Sequence, residues 1–457
     1  MNKYYIFLLA LIMGISSCKE DDAITTYTLT TQVQGSGTVN PSTKKVTSGE
    51  TIIVTATAEE GFFFDGWTGD KTLRDNPITV LMTSNINLVA NFIDKTADTD
   101  EDGVPDYLDN CRDTEPGMIV DENGCATIIQ VAENGVTLYC LPEAEIGKEY
   151  PYNGEMYKIV DRTMLYDMDK INDDFTHIIT TKVTDMDALF WNDTNFNQDI
   201  SSWDVSNVTR MQWIFYGAAD FNQDISNWDV GNVSNMYGMF EKASSFNQDI
   251  SGWDVSNATN MGSLFEEAIK FNQDLSQWDV SKVTNMYGMF ASAHSFNSNI
   301  STWNVGNVKT MSFMFSGAKT FNQDISNWDV SKVTDMGNMF KNAEKFNQKI
   351  SNWNLSNTTN IGGMFSSAKS FNQDISNWDV SNVTSTFSMF YNAISFNQDL
   401  SSWNVSNVNN MSLMFSNATS FNQDLSSWDV DQVEDCSSFA SGATSWTSPK
   451  PNLTCAQ

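Results

Sequence analysis

The chain has 457 residues, room for several domains, and a formal charge of −32 from 57 acidic and 25 basic side chains. That balance argues against nucleic acid and against direct docking on anionic lipid, and suits an exposed surface that uses divalent cations. Six cysteines, at 18, 111, 125, 140, 436 and 455, are too few for a disulfide scaffold and too scattered for a zinc site.

Residues 1–18 read as an export signal. Lys3 gives a positive start, and the apolar run 6–15 is too short to span a membrane as a stable helix. Ile15-Ser16-Ser17-Cys18 resembles a bacterial lipobox, which implies that Cys18 carries lipid and becomes the new N-terminus. Several acyl chains there imply stable anchoring; the alternative is an ordinary secretory peptide cleaved nearby. Residues 19–26 form an acidic tether. Its Lys19-Glu20-Asp21-Asp22 is either a solvated charge run or, by resemblance, the surface-export signal of Bacteroidota lipoproteins. The expected location is then the outer membrane, lipid-anchored and facing outward.

Residues 27–93 are expected to be a small β domain. The β-branched stretches 27–33 and 51–56 are split by Gly, Pro and Ser turns. Gly35-Ser-Gly-Thr-Val-Asn-Pro41, Glu60-Gly-Phe-Phe-Phe-Asp-Gly-Trp67 and Asn91-Phe92 resemble the divergent internalin-type B-repeat, a spacer or binding module of bacterial surface proteins. Trp67 is either a core plug or a ligand platform.

Residues 94–126 carry the clearest chemistry. Asp98, Asp100, Asp102, Gly103, Val104, Asp106 and Asp109 take positions 1, 3, 5, 6, 7, 9 and 12 of a calcium loop. Alternate carboxylates turn inward, Gly103 makes the sharp turn, and the Val104 carbonyl completes the ligand set. Aspartate at the last position makes a bidentate ligand less assured. The run 98–111, followed by Val120-Asp-Glu-Asn-Gly-Cys125, resembles a thrombospondin type 3 repeat. Asp121 or Asn123 is then a candidate for a second, incomplete site. Cys111 and Cys125 would close a short loop, a pairing suited to a compartment outside the cytoplasm. The alternative is an acidic linker without metal.

Residues 127–174 read as a cap. Strands are expected at 135–140 and 155–160 around the Asn153-Gly154 turn, followed by a helix with Met164, Leu165, Met168 and Ile171 on one face.

From 175 to 445 the chain matches itself at a shift of 25. Phe221-Asn-Gln-Asp-Ile-Ser-Asn-Trp-Asp-Val230 is one instance; Phe stands at every 25th position from 196 to 421 and Trp from 203 to 428. Such a period predicts a solenoid, in which each unit buries its apolar face only against its neighbours. The Trp203-Asp204-Val205 alternation predicts a short parallel strand, and the wider spacing that follows predicts an irregular or helical return. An Asn at the corner, in the column of Asn197 and Asn222, can bond the backbone of its own and the next coil. The apolar pattern resembles the repeat of BspA-family leucine-rich-repeat surface proteins. That resemblance implies a leucine-rich-repeat-like solenoid at a bacterial cell surface, with no one ligand implied. Residues 446–457 form the C-terminal cap, which a Cys436–Cys455 bridge could staple.

Two outward features are candidates for function. Asp204, Asp229, Asp254 and Asp279 are expected in a row, either splayed and solvated or bridged by cations. Trp213, Tyr237, Tyr287, Phe313, Phe387 and Tyr391 take positions that are Gly, Ser or Asn in other coils, which suits contact with a protein or glycan. His177 and His294 are the only histidines, without a paired nucleophile signature, so no enzyme is expected. The resulting expectation is a lipid-anchored surface protein on a calcium-stiffened stalk whose solenoid binds a protein or glycan. The alternatives are a glycan-capture component serving a separate transporter, or a passive spacer.

Overall fold

The computed structural model describes residues 24–114 and 120–455; the lipidation reading at Cys18 lies outside them. The chain divides into two compact units, Met1–Thr127 and Ile128–Gln457.

In the first unit, β1 (Thr26–Gln34), β3 (Thr43–Thr47), β5 (Phe62–Gly69) and β7 (Ile86–Asp94) form a sheet in the order β3-β1-β7-β5. A second sheet orders β2 (Gly37–Asn40), β4 (Thr51–Ala58) and β6 (Ile78–Leu81) as β2-β4-β6. The strand period of two drives the packing: Ile52, Val54 and Ala56 of β4 turn inward, while Ile53 stays exposed. Trp67 is fully buried among them, and its indole N–H donates to the Asp75 carbonyl at 3.1 Å. It is a core plug with its polar end satisfied, not a ligand platform. Gly37 is required because a Cβ there would sit 2.4 Å from the Phe92 ring.

The second unit opens with β8 (Ile129–Val131), β9 (Leu138–Cys140), β10 (Glu149–Tyr152) and β11 (Glu155–Ile159). β10 and β11 pair as a hairpin through Asn153 and Gly154, both at positive φ, as a tight two-residue turn requires. α1 (Arg162–Asp167) is capped by Asp161, whose side chain accepts the Met164 N–H. The helix stops before the expected face is complete, and Ile171 is 83% exposed. Asp169 takes the Ile171 N–H and the Asn172 side chain, closing a local turn that competes with another helical turn. β12 (Ile178–Ile179) then pairs parallel to β11.

From Phe175 the architecture is a repeat with a fixed Phe and Trp pattern and no α-helix among the described residues. Single parallel bridges link every 25th residue, from Asp185 to Arg210 and on to Asp435. The ladder runs along the segment after the Trp-x-Val stretch. Met236, Gly238, Phe240 and Lys242 donate their N–H groups to Asn260, Gly262, Leu264 and Glu266 of the next coil at 2.7–2.9 Å. The intervening Met239, Glu241 and Ala243 donate three residues back along their own coil. The expected strand at Trp203-Asp204-Val205 is therefore a corner, and the expected helical return is a run of turns that also pairs between coils. The reason is local. Asp224 and Asp229 each accept the N–H two residues on, folding the backbone on both sides of Trp228.

Two positions per coil take positive φ, such as Trp213 (54°) and Gly217 (69°), then Gly238 and Lys242. They sit third in turns closed by Met211–Ile214 and Phe215–Ala218 bonds, where a type II turn demands that conformation.

Side chains complete the stack. Asn197 Oδ1 accepts the Asn222 N–H at 2.9 Å, and the relation recurs coil after coil. Trp228 Nε1 donates to the Ile200 carbonyl of the preceding coil at 3.1 Å. Phe215 lies 3.9 Å from Phe221 within a coil and 5.5 Å from Phe240 in the next. A lysine meets each end of this aromatic column: Lys170 lies 5.2 Å over Phe175, and Lys450 lies 5.4 Å over Trp446.

A disulfide joins Cys436 to Cys455, while Cys140 is a buried free thiol whose pKa burial pushes up. The Cys436 bridge ties the coil at 436–446 to the segment that follows it. Cys436→Ser with Cys455→Ser should lower stability by about 3 kcal/mol, the loop-closure value for this span. Urea melts of the two forms check this; superimposable curves would show that the last coil holds without its bridge.

Candidate functional site

Four carboxylates of the acidic loop share one arrangement. Asp98 Oδ2 accepts the Gly103 N–H, Asp100 Oδ2 the Thr114 N–H, Asp102 Oδ1 the Val104 N–H and Asp109 Oδ1 the Cys111 N–H, at 2.6–3.0 Å. The other oxygen of each, Asp98 Oδ1, Asp100 Oδ1, Asp102 Oδ2 and Asp109 Oδ2, is buried without a hydrogen-bond partner. One oxygen thus fixes each side chain on the backbone and the second is left free. Ligand atoms of Asp98, Asp100 and Asp102 lie within 4.8 Å of one another. Buried carboxylate oxygens without partners are costly unless a cation takes them.

Asp106 is turned differently. Its two oxygens accept the N–H and hydroxyl of Thr99 at 2.8 and 2.7 Å, and the hydroxyl bond holds its carboxyl below the usual range. Asp106 thus braces the loop through both its oxygens. Asp121 Oδ1 closes a turn on the Asn123 and Cys125 N–H groups, so that oxygen is engaged within its own segment. The nearby Arg112 pairs with Asp65 at 2.9 Å, outside the loop. Cys111 and Cys125 are joined by a disulfide.

Two residues of this site escaped the sequence reading. Gly124 has φ 75°, and a Cβ there would lie 2.0 Å from Asp109 Oδ1 and 3.2 Å from Asp102 Oδ2. Thr114 joins the halves, donating its N–H to Asp100 and its hydroxyl to the Gly124 carbonyl at 2.8 Å. Neither belongs to the spacing of the loop itself, so the pattern of aspartates does not reveal them.

The second candidate is the face of the repeats. Trp213 meets Tyr237 at 5.5 Å, and Tyr287 meets Phe313 at 5.7 Å. Trp191 and Tyr216, which the column comparison did not single out, extend the first pair: Trp191 lies 5.7 Å from Trp213 and stacks at 4.1 Å on Tyr216. Phe387 is exposed and Tyr391 half-buried, and both stand outside that run of ring contacts. The Asp row is held within each coil. Asp229, Asp254 and Asp279 accept the N–H groups of Gly231, Ser256 and Ser281, and the Ser256 and Ser281 hydroxyls hold Asp254 and Asp279 below the usual range.

Residues 161–278, 263–370 and 348–452 match the family described as "Mycoplasma protein of unknown function, DUF285". The chain belongs to that family. The three DUF285 segments overlap and tile the repeats, from the capped helix to the last coil. Residues 27–96 match the "Divergent InlB B-repeat domain", which coincides with the two-sheet unit around Trp67. No curated protein and no solved structure matches the chain. DUF285 repeats beside a B-repeat domain fit a surface repeat protein with an interaction role.

Proposed function

We propose that this chain is a lipid-anchored surface protein whose repeats form a leucine-rich-repeat-like solenoid that binds a protein or glycan, held on a calcium-stiffened stalk. The observation that carries the binding role is the aromatic run Trp191, Trp213, Tyr216 and Tyr237 on adjoining coils. The repeat core does not need such rings: Met336, Met339, Phe340 and Ala343 are fully buried in a coil whose matching positions are Gly337, Asn338 and Lys341. Large half-exposed aromatics across several coils therefore supply contact area rather than packing. The chemistry proposed is binding rather than catalysis.

The calcium role is supported by the four buried carboxylate oxygens, which have the charge and the hard-oxygen character that calcium selects. A bound ion would hold the carboxylates of residues 98–109 together and so stiffen the segment that ends in the Cys111–Cys125 bridge.

Direct screening of the chain on protein and glycan arrays tests the binding role, with Trp213→Ala/Tyr237→Ala as the comparison. Hits lost in the variant support it, glycans alone favour capture for a transporter, and a blank array favours the spacer. The anchor has its own test. Cys18→Ser should release the protein from membranes; a variant that still fractionates with the outer membrane and migrates unchanged would remove the lipobox reading.

A further inference from the structure

The aromatic run is not neutral. Glu241 and Glu266 take one column of neighbouring coils, where Trp191 and Tyr216 stand earlier and Ala291 and Ser316 later. Glu241 has only 14% of its side chain exposed, and its ion pair with Lys242 is long, at 3.7 Å. The Lys242 ammonium is directed elsewhere: it donates to Tyr216 Oη at 2.6 Å and lies 4.8 Å over that ring. Glu266 Oε2 accepts the Ser263 hydroxyl at 2.7 Å, and that hydroxyl lies 3.5 Å from Tyr237 Oη.

Glycines bring carboxylates and rings close to the backbone. A Cβ on Gly238 would lie 2.4 Å from the Trp213 ring and 3.1 Å from Glu241 Oε2. A Cβ on Gly262 would lie 2.8 Å from the Tyr237 ring, and one on Gly288 would lie 3.1 Å from Glu266 Oε2. Indole, phenol and two carboxylates thus share one shallow surface across three coils, floored by residues without side chains.

We propose that this surface, formed by Trp213, Tyr237, Glu241 and Glu266, binds a lysine- or arginine-bearing peptide segment of a partner protein, with basic side chains lying over the rings and against the carboxylates. The inference rests on the binding role assigned to the repeat face and adds the chemistry of its partner. Charge complementarity selects the occupant. Ring faces attract cations, and partly desolvated carboxylates gain most from a guanidinium or ammonium. A neutral glycan stacks on rings and leaves the two charges uncompensated.

The same burial and the neighbouring Glu266 push Glu241 up to about 7. The charged groups acting on it are Glu266, Glu267 and Lys242. Deprotonation creates the charge that a basic peptide needs, so affinity should rise as pH increases from 6 to 8.

The test measures binding to the full chain of Gly-Ser peptides carrying spaced Arg or Lys, beside the same peptides with Gln and beside neutral oligosaccharides. Basic peptides should bind, and Glu241→Gln/Glu266→Gln should weaken them about tenfold, a change of 1.4 kcal/mol. Circular dichroism melts confirm that this variant is folded; Glu241→Asp/Glu266→Asp, which keeps the charges, should retain part of the affinity if the first variant does not fold. Binding of the Gln peptides or glycans as tight as that of the basic peptides, or affinity unchanged by Glu→Gln, overturns the proposal. If glycan binding is lost in Trp213→Ala/Tyr237→Ala, the face remains a binding site and only the cationic partner is excluded. If no probe binds in a manner dependent on those rings, both readings fail.

Discussion

Trp303→Ala should destabilise the repeats by about 3–5 kcal/mol, the range for deleting a buried aromatic. Trp303 is 4% exposed, and its indole N–H donates to the Leu275 carbonyl of the preceding coil at 2.9 Å. Its ring lies 6.5 Å from Trp328 and 6.2 Å from Phe290. One truncation therefore opens a cavity between coils and leaves a buried carbonyl without its donor. Because each coil is supported only by its neighbours, the break should split the stack's cooperativity as well as lower its midpoint. Trp428→Ala removes the same bond to Leu400 near the end of the stack, and its effect should be smaller. Trp303→Phe keeps part of the ring area and loses the donor, so it should fall between wild type and alanine. Urea denaturation followed by circular dichroism separates the three; a midpoint for Trp303→Ala equal to wild type would contradict the burial of this column.

The core was legible because stacking enforces it. A residue that must contact its own image one coil away can vary little, so Phe, Trp, Met and Asn show through at a shift of 25. The backbone path was less legible. Trp203-Asp204-Val205 has strand-like alternation, and both apolar groups are buried on one face as it predicts, yet no extended strand forms because Asx turns fold the chain on either side. The left-handed positions were hidden by their occupants. Trp213, Lys242, Glu267 and Leu413 take positive φ without being residues that announce it, since the four-residue turn closed within each coil imposes the conformation. Ile171 misled for the opposite reason: apolar spacing suggested a helical face, and the polar turn at Asp169 ended it. In the acidic loop the spacing identified which aspartates stand together. It did not reveal that Asp106 faces Thr99, because which way a carboxylate turns depends on a donor seven residues away.

That difference among the aspartates sets the calcium prediction. Asp98, Asp100, Asp102 and Asp109 each offer a buried oxygen without a partner, whereas both oxygens of Asp106 already bond Thr99. Asp98→Asn/Asp102→Asn removes two of the four charges while keeping size and the capacity to accept the Gly103 and Val104 N–H groups. It should abolish calcium binding and leave the calcium-free fold largely intact, because fewer like charges then face one another. Asp106→Asn should retain calcium binding and weaken the loop itself through the charge-assisted Thr99 bonds. In the wild type, calcium at a hundred times its dissociation constant should stabilise the unit by about 2.7 kcal/mol by mass action. It should also protect residues 98–114 from protease. Calorimetric titration of the full chain, with chelator-treated protein as the reference, reads the binding; limited proteolysis reads the stiffening. Equal heats and equal cleavage in wild type and Asp98→Asn/Asp102→Asn at millimolar calcium would leave the segment an acidic linker. Binding retained in that double variant and lost in Asp106→Asn would instead show that the loop rearranges, with Asp106 leaving Thr99 to hold the ion.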